Sequence, residues 1–195
     1  MLFVSGIRLR LVRIIATVGV LLMPLAWFVL KDYQKQRILV FMNPDIDPFG
    51  SGYHIIQSKI AIGSGTIFGK GLFNGTQSQL NFLPENHTDF IFSVIGEELG
   101  FIGCIFVLIL LFMLIYRSIK VAYSCNDRFG MLLATGIGSM LCFEVFVNAG
   151  MTMGIMPVTG IPLPFISYGV SALTTNMISV GILLNISMQR KKYIF

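Results

Sequence analysis

The sequence has few charged residues, few cysteines and few histidines. Only 12% of its 195 residues are Asp, Glu, Lys or Arg, whereas about a quarter of the residues of a soluble domain are charged. The three cysteines have no spacing that suggests a disulfide framework or a zinc site, and two histidines are too few to predict metal ligands. These absences argue against a soluble domain and a disulfide scaffold, and no metal-ligating residue is predicted.

Long apolar runs are what the sequence has instead, because 55% of its residues are hydrophobic. A helix that crosses a bilayer needs roughly 20 such residues. We predict an all-α integral membrane protein in which residues 1–195 form a single membrane domain fragment with about four transmembrane helices. The predicted spans are residues 14–30, 90–116, 129–150 and 170–187. A long loop, residues 31–88, follows the first span, and a short loop, residues 151–167, follows the third.

The basic residues predict the orientation of these spans. Nine of them precede the first span, join the second to the third, or follow the fourth: Arg8, Arg10, Arg13, Arg117, Lys120, Arg128, Arg190, Lys191 and Lys192. They share one side if the spans alternate, and short loops rich in Lys and Arg are cytoplasmic. Both termini are therefore expected in the cytoplasm of a multi-pass plasma-membrane protein. The scattered charges do not favour a nucleic-acid partner.

A polar stretch ends the long loop and leads into the second span. Asp89 stands where this loop becomes a helix, and Glu97 and Glu98 lie about two turns further along it. On a continuous helix Asp89, Ser93 and Glu97 share one face, which should point into the protein or a wet cleft. Asp89 is a candidate functional acid whose ionised form the helix dipole favours. The alternative is that Asp89 only caps the helix.

The other acids in the spans are predicted to be structural. Glu98 lies about 100° around the helix from Glu97, so it would pair with an Arg or Lys elsewhere. Glu97, Glu98, Glu144 and Asn148 are candidates for a polar network that joins helices. The three prolines of the short loop predict a broken segment, which survives at membrane depth only inside the protein or along a cavity.

The long loop contains turn-forming and glycine-rich stretches, and residues 53–62 predict a short amphipathic helix at the membrane interface. Lys70, Arg37 and backbone N–H groups could grip an anionic headgroup there. The alternative is an ordered loop with hinge glycines.

Several motifs of the chain resemble the SEDS family (shape, elongation, division and sporulation proteins), and within it the RodA branch. Residues 75–85 read GTQSQLNFLPE, residues 86–90 read NHTDF, and residues 154–169 read GIMPVTGIPLPFISYG. The similarity also covers residues 43–53, 57–65 and 97–100. Family members have a ten-helix fold, of which this chain matches the C-terminal part. Val170 departs from the family's pattern, which has a second glycine there.

The resemblance implies a peptidoglycan glycosyltransferase that polymerises lipid II for cell elongation and rod shape, with a class B penicillin-binding protein as partner. It implies that Asp89 is the catalytic base. Lys70 or Arg37, or a divalent cation, would stabilise the leaving diphosphate. The other matched residues assigned to substrate binding are Gln57, Ser58, Glu85, His87 and Ser167. A lipid II flippase or carrier, and a non-catalytic truncated relative, are the alternatives.

Overall fold

The structure is a computed structural model that describes residues 9–47, 50–80, 82, 83, 85 and 87–189. These residues form α-helices, one short 3-10 turn and irregular connections. The helices are α1 (Leu9–Val29), α2 (Asp32–Met42), α3 (Ser51–Ser64), α4 (Thr76–Gln79), α5 (Ile91–Tyr123), α6 (Arg128–Thr152) and α7 (Val170–Gln189). Arg8, Arg190, Lys191 and Lys192, used above to predict orientation, lie outside the described residues.

Helices occupy all four apolar runs of the sequence. Within the described residues, α5, α6 and residues 170–188 of α7 are long and apolar enough to cross a membrane. Helix α1 covers most of the first predicted span and contains Pro24. That α1 also crosses the membrane stays a prediction.

Helices α5 and α6 pack most extensively on each other. Small residues permit this, since a Cβ added to Gly138 would lie only 3.2 Å from Cβ of Ser118. A buried apolar cluster that includes Ile115, Leu141 and Leu183 joins α5, α6 and α7. Helix α3 packs across α5 rather than standing apart, with Ile55 and other apolar residues buried.

Helix α5 is broken at Gly100, where the backbone adopts φ 67° and ψ −163°. A Cβ added to Gly96 would lie 3.5 Å from Cys104 Sγ. In an unbroken helix these residues would be about 12 Å apart along the axis. The first part of α5, residues 91–99, therefore folds back against the second part, residues 101–123. The prediction of one continuous helix that carries Glu97 deeper into the span than Asp89 is therefore wrong, because the helix reverses at Gly100.

Residues 66–71, here called the capping segment, bond to both sides of this break. Its carbonyl groups accept hydrogen bonds from the first N–H groups after Gly100, and its N–H groups donate to the last carbonyl groups before it. The four bonds are Phe101 N to Thr66 O at 3.0 Å, Ile102 N to Ile67 O at 3.2 Å, Lys70 N to Glu97 O at 3.0 Å, and Gly71 N to Glu98 O at 3.0 Å. Backbone groups that a helix end leaves without partners are thereby satisfied.

Two glycines allow the capping segment to approach the break. Gly69 has φ 80° and Gly100 has φ 67°, a region that is accessible to glycine without strain. A Cβ added to Gly100 would lie 2.3 Å from Gly69 N, and one added to Gly69 would lie 2.1 Å from Glu98 O. Neither position has room for a side chain unless the backbone shifts.

An irregular segment, residues 153–169, joins α6 to α7. Leu163 and Pro164 are buried in it although it forms no regular helix. Its prolines lack the N–H groups that would continue a helix. The broken, protein-packed character predicted from Pro157, Pro162 and Pro164 is confirmed.

Candidate functional site

Asp89 lies in a tight turn immediately before α5. The N–H groups of Thr88 and Phe90 both donate to Glu85 O, at 3.2 and 3.3 Å. Phe90 is the N-cap residue of α5, and no side chain caps that helix end. Asp89 is therefore not a helix cap, and the capping alternative is wrong.

Asn148 of α6 fixes the backbone of Asp89. Its Nδ2 atom donates to Asp89 O at 3.0 Å and to Ile161 O at 2.8 Å. Both partners are carbonyl groups, so the amide must present its NH₂ group to them. Asn148 is fully buried, and it joins α6, the Asp89 turn and the connecting segment 153–169.

The segment 153–169 also binds the turn directly. The Ser167 hydroxyl donates to Thr88 O at 2.7 Å and accepts from Leu163 N at 2.7 Å. Tyr168 N donates to His87 O at 2.8 Å. Ser167, predicted to bind substrate, is thus engaged in holding the Asp89 turn, while the side chain of His87 is exposed.

The carboxyl group of Asp89 faces two charged residues and a glycine. Glu85 hydrogen-bonds to it and Arg37 of α2 interacts with it electrostatically. A Cβ added to Gly160 would lie 3.2 Å from Asp89 Oδ2, so the backbone of the connecting segment closes one side. Arg37 Nη1 donates to Val158 O at 3.2 Å, which ties α2 to the same segment.

This environment raises the pKa of Asp89 above its ordinary value. Burial is the largest cause, followed by the like charge and the hydrogen bond of Glu85, and Arg37 opposes them. The expectation that the helix dipole favours the ionised form is therefore outweighed by burial and by Glu85. Glu85 and Arg37, both predicted site residues, therefore lie close enough to Asp89 to influence its carboxyl group in opposite directions.

Glu97 and Lys70 form a second polar site with a different character. Glu97 is fully buried, and its carboxylate pairs with Lys70 Nζ at 2.8 Å. Three further groups donate hydrogen bonds to the Glu97 carboxylate. Gln77 N and Thr76 Oγ1 donate to Oε1 at 2.9 and 3.2 Å, and Ser78 N donates to Oε2 at 3.1 Å. The Lys70 amine, predicted to grip a headgroup, also donates to Thr76 Oγ1 at 2.8 Å.

Ser58 is fully buried on α3, which places its hydroxyl out of reach of a substrate in this structure. It donates to Thr152 O at 2.6 Å and lies 2.6 Å from Ser93 Oγ. Since Ser58 has one hydroxyl proton, Ser93 is the donor between them. The expected substrate contact is replaced by a link between α3, α5 and α6. Its neighbour Gln57 is partly buried on the same helix.

The remaining acids differ from expectation. Glu98 forms no ion pair with any residue that the structure describes, so the predicted basic partner is not found there. Oε2 of Glu144 is buried without a hydrogen-bond partner, and so is Oδ1 of Asn148. Glu144 and Asn148 therefore do not satisfy each other, and Asn148 joins the segments through its NH₂ group. That contact to the Asp89 backbone could not be read from the helical spacing that singled out Asn148.

Nearly the whole chain is similar to known proteins of one family. A model of the cell cycle protein family that comprises FtsW, RodA and SpoVE matches residues 1–192. The peptidoglycan glycosyltransferase MrdB of Escherichia coli K12 is 50% identical over 191 residues, which are 97% of this chain and 52% of MrdB. The probable peptidoglycan glycosyltransferase FtsW of Geobacter metallireducens is 47% identical over 98% of this chain and 50% of that protein.

A solved structure agrees with these relatives. A chain from a peptidoglycan synthase complex, in which polymerization and crosslinking are structurally coordinated, superposes with a TM-score of 0.75 at 33% identity. The match covers 98% of this chain and 52% of that one. This chain spans about half the length of the relatives that it matches.

Proposed function

The chain belongs to the cell cycle protein family of FtsW, RodA and SpoVE, and from this premise we propose that it carries the catalytic base, Asp89, of a peptidoglycan glycosyltransferase. It is a multi-pass membrane protein of that family. Because it spans about half of its relatives' length, the activity, substrate and partner of the whole protein belong to the proposal. The reaction is polymerisation of lipid II into glycan strands for cell elongation and rod shape.

The observation that carries the proposal is the carboxyl group of Asp89, which lies in the turn before α5 near Glu85 and Arg37. In the proposed step, the C4 hydroxyl of the acceptor sugar attacks the anomeric carbon of the donor. Asp89 takes the hydroxyl proton, and the lipid diphosphate leaves with the electrons of the broken bond. A positioned base of this kind contributes roughly 10²–10⁴-fold in rate.

The raised pKa of Asp89 suits this role. A carboxylate with a higher pKa is a stronger base than an ordinary aspartate. Asn148 and Ser167 immobilise the backbone of the turn, so the carboxyl group has a fixed place against the acceptor, which reduces the entropic part of the barrier.

Arg37 is the proposed partner of the leaving diphosphate, because it already lies close enough to Asp89 to influence its pKa. Lys70 is less available, since Glu97 and Thr76 hold its amine. A divalent cation at this site stays a prediction from the sequence, and the proposed step uses only the groups of this chain.

The setting of this chemistry is also proposed. Both termini and the α5–α6 connection would be cytoplasmic, while α2, α3 and the Asp89 turn would lie outside. A class B penicillin-binding protein would crosslink the strands. One supporting observation is that the matched solved chain comes from a synthase complex with both activities.

Asp89→Asn tests the proposal in liposomes that contain the full chain and lipid II. We expect glycan polymer from the wild-type chain and at least 100-fold less from the variant, as loss of a general base requires. Asp45→Asn is the matched control, because Asp45 is an exposed acid of the same predicted extracytoplasmic loop. Equal polymerisation by Asp89→Asn would contradict the role of Asp89.

Measuring translocation of the lipid headgroup in the same liposomes, beside polymer formation, separates the alternatives. Translocation of the lipid headgroup without polymer would support a carrier. A wild-type chain that neither polymerises nor translocates would support a non-catalytic relative.

A further inference from the structure

A cavity of about 220 Å³ lies at the opposite end of the bundle from Asp89. Helix α5 contributes two basic residues to it, and the turn after α5 and the end of α7 complete its wall. The lining includes Arg117, Lys120, Ser124, Cys125, Ile186 and Ser187. The cavity therefore brings two cations and two hydroxyl groups to one concave surface.

The charges of this cavity are not neutralised by the part of the chain that is described. Arg117 and Lys120 lie three residues apart on one face of α5 and form no ion pair with any described residue. The described lining contains no acidic side chain. The nearest acid along the chain, Asp127, accepts a hydrogen bond from Gly130 N at 3.0 Å and so caps α6. An anion is the ligand that this arrangement lacks.

The cavity lies at the level where the spanning helices end. Two tyrosines of α5 are exposed at this end, Tyr116 at 55% and Tyr123 at 92%. Exposed aromatic rings with a polar tip are typical of the boundary between lipid and water. An anion bound at Arg117 and Lys120 would therefore be at the height of phospholipid headgroups.

An apolar groove adjoins the cavity and shares Ile186 with it. The groove has a volume of about 460 Å³ between α6 and α7. Its wall includes the apolar side chains of Phe129, Leu133, Ile178 and Ile182, and the polar residues Asp127, which caps α6, and Asn185. Its length follows α7 from Ile186 back to Ile178, about 12 Å at the rise of an α-helix. A groove of this length and composition fits part of an acyl chain.

We infer that this end of the protein binds a phospholipid whose headgroup carries a net negative charge. The phosphate contacts Arg117 and Lys120, with the hydroxyl groups of Ser124 and Ser187 as further donors, and one acyl chain lies against Ile186. Basic pockets between membrane helices bind anionic lipids in this way. The positive charge alone would serve to orient the chain in the membrane, but orientation requires neither a cavity nor an adjoining apolar groove.

The test compares lipid binding by the double variant Arg117→Gln/Lys120→Gln with the wild-type full chain. Native mass spectrometry from nanodiscs would measure retained phosphatidylglycerol against phosphatidylcholine. At about 1 kcal/mol per basic residue, the variant should bind the anionic lipid roughly 30-fold more weakly. The matched control is Arg10→Gln/Arg13→Gln, which removes two charges from α1 on the same predicted side of the membrane and should bind normally.

Two further arms keep the inference falsifiable. Arg117→Lys/Lys120→Arg should restore binding, which separates a lost contact from a misfolded chain. Inorganic phosphate is added at millimolar concentration to the wild-type chain. Displacement of the lipid by free phosphate would overturn a lipid site, as would equal retention of the two lipids or unchanged binding by the Gln variant. Polymerisation activity plays no part in the readout, so the outcome is independent of the proposed function.

Discussion

Asp89 and Glu97 are carboxylic acids eight residues apart, yet their surroundings are opposite. Glu97 is fully buried and accepts hydrogen bonds from a lysine, a threonine and two backbone N–H groups. Asp89 is partly exposed, and another acid, Glu85, is its hydrogen-bonding neighbour. The protein thus satisfies the negative charge of one acid and leaves that of the other only partly compensated by Arg37.

This difference indicates which acid is available for chemistry. A carboxylate that accepts hydrogen bonds from four donors is held in place by those partners. A carboxylate whose ionised form is destabilised by burial and a like charge is a better base. The deeper burial of Glu97 therefore points to a structural role, and the incomplete compensation at Asp89 points to a reactive one.

The largest effect on the fold is expected from Glu97→Gln. The amide removes the charge that pairs with Lys70 and turns an NH₂ group toward N–H donors, so several hydrogen bonds are lost at once. We expect the free energy of unfolding to fall by about 2–3 kcal/mol, measured by chemical denaturation in detergent micelles. Glu98→Gln is the matched control, because Glu98 forms no ion pair with any described residue. Equal free energies of unfolding for the Glu97→Gln and Glu98→Gln variants would show that Glu97 does not have the structural role assigned to it.

A smaller and directional effect is expected on the pH dependence of activity. The proposed base must be ionised, so activity is lost as pH falls through the pKa of Asp89. Because this pKa is raised, the acidic limb of the pH–activity profile should lie at higher pH than an ordinary Asp would give. Glu85→Gln removes the like charge, so the limb should move to lower pH. Arg37→Gln removes the opposing charge, so it should move to higher pH. Profiles of kcat/KM against pH would measure both, and shifts in the same direction would contradict the assignment.

The smallest effect is expected on the stability of Asp89→Asn. Since the folded pKa is raised, the ionised carboxylate reduces stability above that pKa, and this cost disappears as pH falls below the unfolded value. The variant should therefore be slightly more stable than the wild-type chain at pH 7, with no difference near pH 3. Thermal unfolding at the two pH values tests this. A variant that is less stable at pH 7 would show that Asp89 supports the fold.

The sequence was sufficient for features that depend on local patterns. The apolar runs placed the helices, because a bilayer requires long uninterrupted hydrophobic segments. The spacing of Ser93 and Glu97 predicted a polar helix face directed into the protein, and both residues are fully buried. The motif around Asp89 directed attention to the turn in which a carboxyl group with a raised pKa is found.

Features that depend on distant segments could not be read in this way. The break at Gly100 is stabilised by residues about thirty positions earlier, and a glycine alone does not distinguish a break from an ordinary membrane helix. Ser58 was predicted to bind substrate because it lies in a matched motif, but its position is decided by α5 and α6, which bury it. The contact between Asn148 and the Asp89 backbone likewise depends on tertiary folding.

The capping segment also bears on the order in which the chain can assemble. A nascent chain is made from its N-terminus, so residues 66–71 exist before the two helical parts that they join. Every backbone partner that the capping segment supplies to the break has been synthesised by the time Gly100 is added. The four backbone hydrogen bonds at the break therefore involve no residue of α6 or α7, whereas the turn that carries Asp89 is fixed only when Asn148 of α6 and Ser167 of the connecting segment reach it.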